Sequence, residues 1–439
     1  MLCRWARKVG SEAVSFDFHR GYSTTPPTVV EEATSSENTK FHTAEHVLSE
    51  HRTAFDALER DIRMQDRKRS DLLHCNQNVW LTELPRIEKD VLGDRGRLIQ
   101  IGSAITGLGE ASSDIDLVFY PSNSSERQPF VEAFHSDHSL RADFLAALRG
   151  CMVRSLVALP STSPLRAGIK EDQLMIDHCM SLPNVFAPVI KCQLTNGFSI
   201  DVVIPDTKFH SIRNTSYVRY YAQTDPRLSR MTTWLRKWGD ALRIRESTAS
   251  LLSSYHLTFL AIHFLQSVDS MQTTPVLPSL MKIHPELVDP TLPIQEVVDQ
   301  LKRPPPPELK KWKSSNDMST AELIYRFLQY YGYRRRLGSN VFRLEKAFTN
   351  KPHDSSYSGP PRLLDPYSDQ SILKTSASAW AFEDAVVFTS RKMQKGRMLT
   401  FPNFDDAEEF VKRSSQKEWR QFADEKSKRL RDDLIKKKT

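Results

Sequence analysis

Charged residues dominate positions 43–73, but Val47, Phe55, Leu58 and Ile62 interrupt them at steps of eight, three and four. Apolar residues spaced this way fall on one stripe of an α-helix. A second helical stretch is expected over 79–91, leading into Arg97. Past that point the pattern changes. LIQIG (98–102) and IDLVFY (115–120) read as strands, joined by a turn that holds Gly107, Gly109, Ser112 and Ser113. Helical spacing returns over 129–148, whereas 155–185 carries no pattern that assigns an element. VFAPVIKCQL (185–194) and FSIDVVI (198–204) are apolar runs parted by Thr195, Asn196 and Gly197, a strong hairpin signal.

Beyond Pro205 the spacing is helical over 208–222, 229–245, 253–268 and 319–332. KRPPPPE (302–308) is a stiff connector, and 403–439 runs acidic then basic, as a solvated helix or tail does. The expected organisation is a transit peptide or disordered lead over 1–40 and helices over 41–90 that pack on a later helical unit. A mixed α/β unit follows over 91–207, then the helical unit over 208–402 and a charged tail over 403–439. Asp116 and Asp201 stand 85 positions apart, which points to an insertion over 137–180.

The composition of the 439 residues is that of a globular protein, with room for about two or three domains. The longest strongly apolar stretch, 257–265, contains His263 and is too short to span a bilayer, so no membrane partner is expected. A net charge of +7 permits a polyanionic partner without demanding one. Cys3, Cys75, Cys151, Cys179 and Cys192 lack zinc-ligand spacing, so free thiols in a reducing compartment are expected. The opening MLCRWARKVG mixes Leu2, Trp5 and Val9 with Arg4, Arg7 and Lys8, and a Ser/Thr/Pro-rich stretch follows Arg20. Mitochondrial transit peptides have this composition, so a matrix location is expected. Glu12 and Asp17 count against it, and an untargeted terminus is the alternative.

The candidate chemistry is concentrated in GSAITGLGEASSDIDL (102–117). Asp114 and Asp116 lie two apart at the start of a strand, so both carboxylates leave one face. Adjacent carboxylates repel each other unless a cation lies between them, and Mg²⁺ accepts such oxygen ligands together with substrate phosphates. Gly102 lets backbone approach a triphosphate, and Ser103 offers an N–H and a hydroxyl to its oxygens. Asp201 lies within the apolar run FSIDVVI, where an unpaired acid is expensive to bury. It is either a core acid bridged to Lys191 across the hairpin or the third ligand of a metal site. In the second case Lys191 joins the nucleotide-binding residues. Three carboxylates can hold two Mg²⁺ ions about 4 Å apart, with Mn²⁺ an alternative, for in-line displacement at an α-phosphate.

The spacing of Gly102-Ser103, Asp114-x-Asp116 and Asp201 resembles that of the polymerase-β-type nucleotidyltransferases. LSRMTTWLRKWGDALRI (228–244), LLSSYHLTFLAIHFLQ (251–266) and TPVLPSL (274–280) follow in the order found in the non-canonical poly(A) polymerase and terminal uridylyltransferase branch. The similarity runs over residues 98–390. It implies an α+β fold, with a polymerase-β-like catalytic domain, a mostly helical domain and the active-site cleft between them. It also implies nucleotide contacts by Ser253 and Ser254 at a helix start, base stacking by Tyr255, and ribose or phosphate contacts by Asn214 and Thr215. A core aromatic is the bland reading of Tyr255, and helix capping that of Asn214 and Thr215. Relatives carry Lys on either side of the Trp that matches Trp238. Here those positions are Arg236 and Asp240: Arg236 and Lys237 are counted among the nucleotide contacts, while an Arg236–Asp240 pair at i,i+4 is the bland reading, with Lys237 or Arg243 then left for phosphate.

In the segment that resembles the family's base-recognition region (363–386), Asp365 stands where a carboxylate can accept uracil N3–H. The second acid and the histidine seen in some relatives are Ser368 and Ser371 here, with Asp369 nearby. The runs 334–336 and 391–392 are candidates for following an RNA backbone. The resemblance is greatest to the small mitochondrial uridylyltransferases of trypanosomatids that act in or beside RNA-editing complexes. The expected activity is UMP transfer from UTP to the 3′ end of single-stranded or partly duplex RNA, with an editing-type protein complex as partner. A mitochondrial poly(A) polymerase and an inactive scaffold relative are the alternatives.

Overall fold

The computed structural model describes residues 43–110, 113–185, 187–267, 274–345, 361–368, 371–373 and 375–436, with backbone alone at 75–80, 430, 431 and 433–436. The expected transit peptide lies outside the described residues.

The two helices expected over 43–91 are divided elsewhere. α1 (Ala44–Glu50) is short, and α2 (Arg52–Leu92) runs unbroken for 41 residues. The polar stretch around 74–78 has no Gly or Pro to stop it, and Pro85 is carried inside the helix. At 1.5 Å per residue α2 is a rod of roughly 60 Å. Its two ends serve different cores. Phe55, Leu58 and Ile62 join the helical core, whereas Ile87, Val91 and Leu92 pack beneath the sheet.

Strands β1 (Gly96–Ile101), β2 (Ile115–Pro121), β3 (Ile176–Leu182), β4 (Val189–Leu194) and β5 (Ser199–Val203) form one mixed sheet in the order β1-β2-β5-β4-β3. Only β2 and β5 run parallel. A five-residue helix α3 (Gly102–Thr106) follows β1. Alternation along β2 sends Leu117 and Phe119 toward α4 (Ser124–Ser136) and α5 (His138–Val157), which supply Phe134, Phe144, Leu145 and Met152. Val118 and Tyr120 face the other way, onto Phe209, Ile212, Val298 and Leu301. Those come from the start of α6 (His210–Ala222) and from α9 (Ile294–Lys302). β3 arises in the stretch that showed no pattern. It is an edge strand whose Asp177 and His178 are exposed, so no apolar alternation marks it.

Cys179 and Cys192 face each other in the β3–β4 register and form a disulfide, with Cα atoms 4.2 Å apart. This corrects the expectation of free thiols for that pair, whereas Cys151 is free. Among the described residues no helix is long and apolar enough to cross a membrane.

The helical unit is built on α7 (Pro226–Ala241), α8 (Ser254–Gln266), α10 (Thr320–Gln329) and α11 (Ser376–Met393). Trp234 and Trp238 stack inside it, and Trp238 Nε1 donates to Thr389 Oγ1 at 2.9 Å. The C-terminal stretch, expected as a solvated helix or tail, is helical but packs onto the unit rather than standing free in solvent. It forms α12 (Ala407–Ser414) and α13 (Glu418–Lys436), which bury Phe410, Trp419 and Ala423, and Trp419 Nε1 donates to Asp384.

Glu345 is a buried node of this unit. Its carboxylate accepts hydrogen bonds from the hydroxyls of Tyr217, Tyr221 and Ser279, from Gln266 Nε2 and from the Met281 N–H. Removing a carboxylate that satisfies buried donors leaves each of them unpaired. Glu345→Ala is expected to lower unfolding free energy by about 3–5 kcal/mol in a denaturant titration. A loss below about 1 kcal/mol would show that these donors find other partners.

Candidate active site

The sheet register brings the acidic residues together. Asp116 on β2 is aligned with Ile101 on β1 and with Asp201 on the parallel neighbour β5. Residues aligned in adjacent strands leave the same face, so the carboxylates of Asp116 and Asp201 stand side by side. Asp114 sits two residues before Asp116, just ahead of β2, and is exposed. Gly102 follows Ile101 directly with φ of +73°, and any side chain there would collide with the Asp116 carboxylate. Its N–H donates to Thr215 Oγ1 at 3.1 Å, and that hydroxyl donates to Ser211 O at 2.7 Å. The Gly-Ser turn is thereby tied to α6.

Burial, then the negative charges of Asp201 and Asp114, push the Asp116 pKa up to about 7 against the pull of Lys191. Burial also raises Asp201, although Lys191 opposes it. Lys191 lies opposite Asp201 in the β4–β5 register, and its Nζ donates to Asp201 Oδ2. The bridged core acid read from the sequence is therefore present. The other oxygen, Asp201 Oδ1, is buried with no hydrogen-bond partner. Among the described residues no three His, Cys, Asp or Glu side chains are close enough to enclose one metal ion. Asp116 and Asp201 form the pair, and Asp114 stands at its rim. Repulsion between the acids and the neutralising ammonium of Lys191 account for this arrangement. The pair, the orphaned oxygen and the glycine cradle above it fit a divalent cation bound through hard oxygen ligands.

A second group of polar atoms lies along α6. Asn214 Nδ2 donates to Asp365 Oδ2 at 3.3 Å, and the Tyr367 N–H donates to Asp365 Oδ1 at 2.9 Å. Burial raises the Asp365 pKa against these two bonds. Tyr255 packs its ring on Phe259, with centroids 4.3 Å apart. Burial, then the charges of Asp365, Tyr367 and Asp206, hold its phenol well above the usual range. His210 Nδ1 bonds Asp206 Oδ1 at 3.1 Å, which raises the imidazole pKa against its burial.

His210 Nε2, Ser211 Oγ, Asn214 Oδ1 and the Tyr255 hydroxyl are buried without partners, as is Asp201 Oδ1. Buried polar atoms are nearly always hydrogen-bonded, so these orphans keep donor and acceptor capacity that no protein group takes up. Sequence reasoning missed His210 and Ser211, because one His and one Ser at a helix start carry no spacing signal.

The cations differ most from expectation. Arg236 does not pair with Asp240. Its buried guanidinium donates to Leu108 O and to Thr232 O, and burial lowers its pKa only to about 10, so it stays charged. Its guanidinium is thus engaged by backbone carbonyls rather than by Asp240. Lys237 reaches Glu110 at 3.4 Å and is half-exposed. Asp240 is gripped on both oxygens by Arg245, whose Nη1 donates to Ser254 Oγ at 2.8 Å.

Arg245 is thus the cation beside Ser254, a role with no spacing signal because the residue lies past the end of α7. Ser253 is the N-cap of α8. Its Oγ accepts the His256 N–H, and His256 Nδ1 accepts the Ser253 N–H, which leaves the ring proton on Nε2 to donate to Ile372 O. Of the basic runs, Arg336 is bound by Glu383 and Lys392 by Glu409, so these two are corrected from free RNA-binding charges to ion pairs.

No protein-family model matches the chain. Over 274 residues it is 26% identical to the poly(A) RNA polymerase GLD2 of Homo sapiens, covering 61% of this chain and 48% of that protein. GLD2-B of Xenopus laevis is also 26% identical, over 272 residues, with coverage of 62% and 46%. The chain spans about half the length of these curated relatives. Among solved structures, the RNA terminal uridylyl transferase Cid1 superposes with a TM-score of 0.55 at 16% identity, covering 81% of this chain and 98% of that one. The apo form of mtPAP superposes with a TM-score of 0.54 at 15% identity, covering 96% and 86%. The chain therefore shares the polymerase-β-like fold of these solved structures and is similar in sequence to poly(A) RNA polymerases over about three fifths of its length.

Proposed function

We propose that this chain adds nucleotides, uridylates by preference, to the 3′ end of RNA without a template. The observation that carries the reading is the alignment of Asp116 and Asp201 on adjacent parallel strands beneath Gly102, beside the orphaned polar atoms of α6. In the proposed reaction the RNA 3′ oxygen bonds to the α-phosphorus of a ribonucleoside triphosphate and pyrophosphate leaves. Asp114, Asp116 and Asp201 would hold two Mg²⁺ ions, or Mn²⁺, which when bound supply Lewis acidity at the α-phosphate and make the hydroxyl a better nucleophile.

Gly102 and Ser103 take the triphosphate close to backbone N–H groups. Ser254, held by Arg245 at the start of α8, binds the far phosphates, where helix N–H groups favour an anion. Lys191 and Lys237 supply further positive charge, and each is released from its carboxylate when phosphate enters. Asn214 and Thr215 sit at the ribose, and Tyr255 stacks on the base. Tyr255→Ala is expected to raise KM for the nucleotide by about 10–100-fold, the size of one lost stacking contact. An unchanged KM would return Tyr255 to a packing role.

Base choice rests on acceptors. Asp365 and the unpartnered Asn214 Oδ1 form an acceptor-rich wall that suits the N3–H of uracil. Similarity to poly(A) RNA polymerases supports the second reading, transfer of AMP from ATP. Primer extension with single-stranded and partly duplex RNA, Mg²⁺ and each nucleotide separately tests both. Longer tails with UTP are expected, longer tails with ATP establish the second reading, and no extension with any nucleotide rejects transfer altogether. Mitochondrial import directed by residues 1–40, and an editing-type complex as partner, belong to the same proposal. Fusing residues 1–40 to a fluorescent protein tests the first, and co-purification of the tagged full chain from mitochondria tests the second.

A further inference from the structure

We propose that Arg69 and Asp66, midway along α2, are positioning residues for the nucleotide site, and that they lock the turn following α3 to the helical unit. The inference rests on the transferase reading for its activity arm only. Arg69 is buried, and its Nη1 donates to two carbonyl oxygens of that turn, Gly107 O at 2.9 Å and Gly109 O at 2.6 Å. Nη2 donates to Asp66 Oδ1 at 2.9 Å and to Ser229 Oγ on α7 at 2.7 Å. Asp66 Oδ1 in turn accepts the hydroxyls of Ser229 and Thr233. Arg236, also from α7, holds the intervening carbonyl, Leu108 O. Three successive carbonyls, 107 to 109, are thus each held by a guanidinium.

The turn is also pressed onto α2 by packing. A side chain at Gly109 would come within 3.2 Å of Leu73 Cδ1 and of the Ser103 backbone. The Gly109 N–H donates to Ser103 O at 2.8 Å, so what fixes Gly109 fixes Ser103. Five residues beyond Gly109 the chain reaches Asp114. The planar guanidinium serves four acceptors at once, Gly107 O, Gly109 O, Asp66 Oδ1 and Ser229 Oγ, one more than the three N–H groups of an ammonium. Misplacing reactive groups by about 1 Å can cost on the order of 10²-fold in rate, which makes such a clamp consequential without any contact to substrate.

The test compares Arg69→Met, Arg69→Lys and Asp66→Asn in the full chain. Arg69→Met is expected to lower kcat by about 30–100-fold with KM for RNA changed less than about threefold, because the site is misaligned rather than emptied. Arg69→Lys restores little of that loss, and Asp66→Asn, which keeps its shape but weakens its hold on the guanidinium, falls between. Hydrogen exchange supplies a readout independent of catalysis, since peptides spanning 102–110 should exchange at least tenfold faster in Arg69→Met while those of α8 are unchanged. Wild-type exchange over 102–110 in Arg69→Met overturns the clamp, as does full rescue of kcat by Lys. Should Arg69→Met fail to fold, Asp66→Asn carries the same two readouts with smaller shifts. Should the unaltered chain extend no RNA, the transferase reading falls and the exchange arm still decides the clamp.

Discussion

Asp116→Asn will reduce nucleotide transfer by about 10³-fold or more, and in metal-free buffer at pH 8 the same variant will be more stable than the parent. Both effects come from one carboxylate placed against its neighbours. Its folded pKa is about 7, against an ordinary value of 3.8, because it is buried beside Asp201 and Asp114. Between those two values the folded protein holds a proton that the unfolded chain has released, so stability falls as pH rises through that window. Above about 7 the folded state carries the whole repulsion. Three pKa units correspond to about 4 kcal/mol, and screening at a partly exposed group reduces the expected gain to about 2 kcal/mol.

Urea titrations of parent and variant at pH 5 and pH 8 measure this directly. The gap should widen at the higher pH. It should narrow again when Mg²⁺ is added, because the cation stabilises the parent alone. A variant that keeps more than a tenth of parental activity, or is the less stable of the two at pH 8, contradicts the assignment.

Gly102→Ala is expected to be nearly as damaging, by about 10²–10³-fold in activity, and Gly107→Ala separates its causes. Both glycines have left-handed backbone, with φ of +73° and +76°, so each alanine bears a similar backbone strain of roughly 1–2 kcal/mol. Only at Gly102 would the new methyl meet an obstacle, with Asp116 Cγ at 3.1 Å and Cβ at 3.2 Å in addition to the carboxylate oxygen. At Gly107 nothing lies within 4 Å. Steady-state kinetics should therefore give Gly107→Ala within about fivefold of the parent while Gly102→Ala is crippled. Equal losses at both positions would mean that backbone strain, and not displacement of Asp116, accounts for the loss.

The strands bearing Asp116 and Asp201 could be read from the sequence because their apolar runs are short, bounded by glycine turns and interrupted by acids in conspicuous places. The hairpin was marked by Asn196-Gly197, and Gly197 does take a left-handed backbone, with φ of +93°. β3 was hidden because an edge strand exposed at Asp177 and His178 needs no apolar alternation. For the last two helices it was the packing, not the helicity, that composition hid, since charged residues outnumber Phe410, Trp419 and Ala423, which are buried.

The chemistry of the long cations was the least legible. Arg69, Arg236 and Arg245 each reach a partner on another element or beyond their own helix, and side chains that long can satisfy many neighbours. Sequence spacing fixes where such a side chain starts and says nothing of where it ends. The orphaned atoms of His210, Ser211 and Asn214 were invisible for a different reason, because the lack of a partner is a property of three-dimensional surroundings alone.

The long rod α2 also has a consequence for how the chain is made. Its carboxyl-proximal end finds its neighbours among residues 98–204, soon after they emerge from the ribosome. Its amino-proximal end belongs to a core whose members extend to Ala423. Phe55 meets the ring of Tyr325 there, so this part of the core closes only after about three quarters of the polypeptide has been made, and its folding must wait for that late partner.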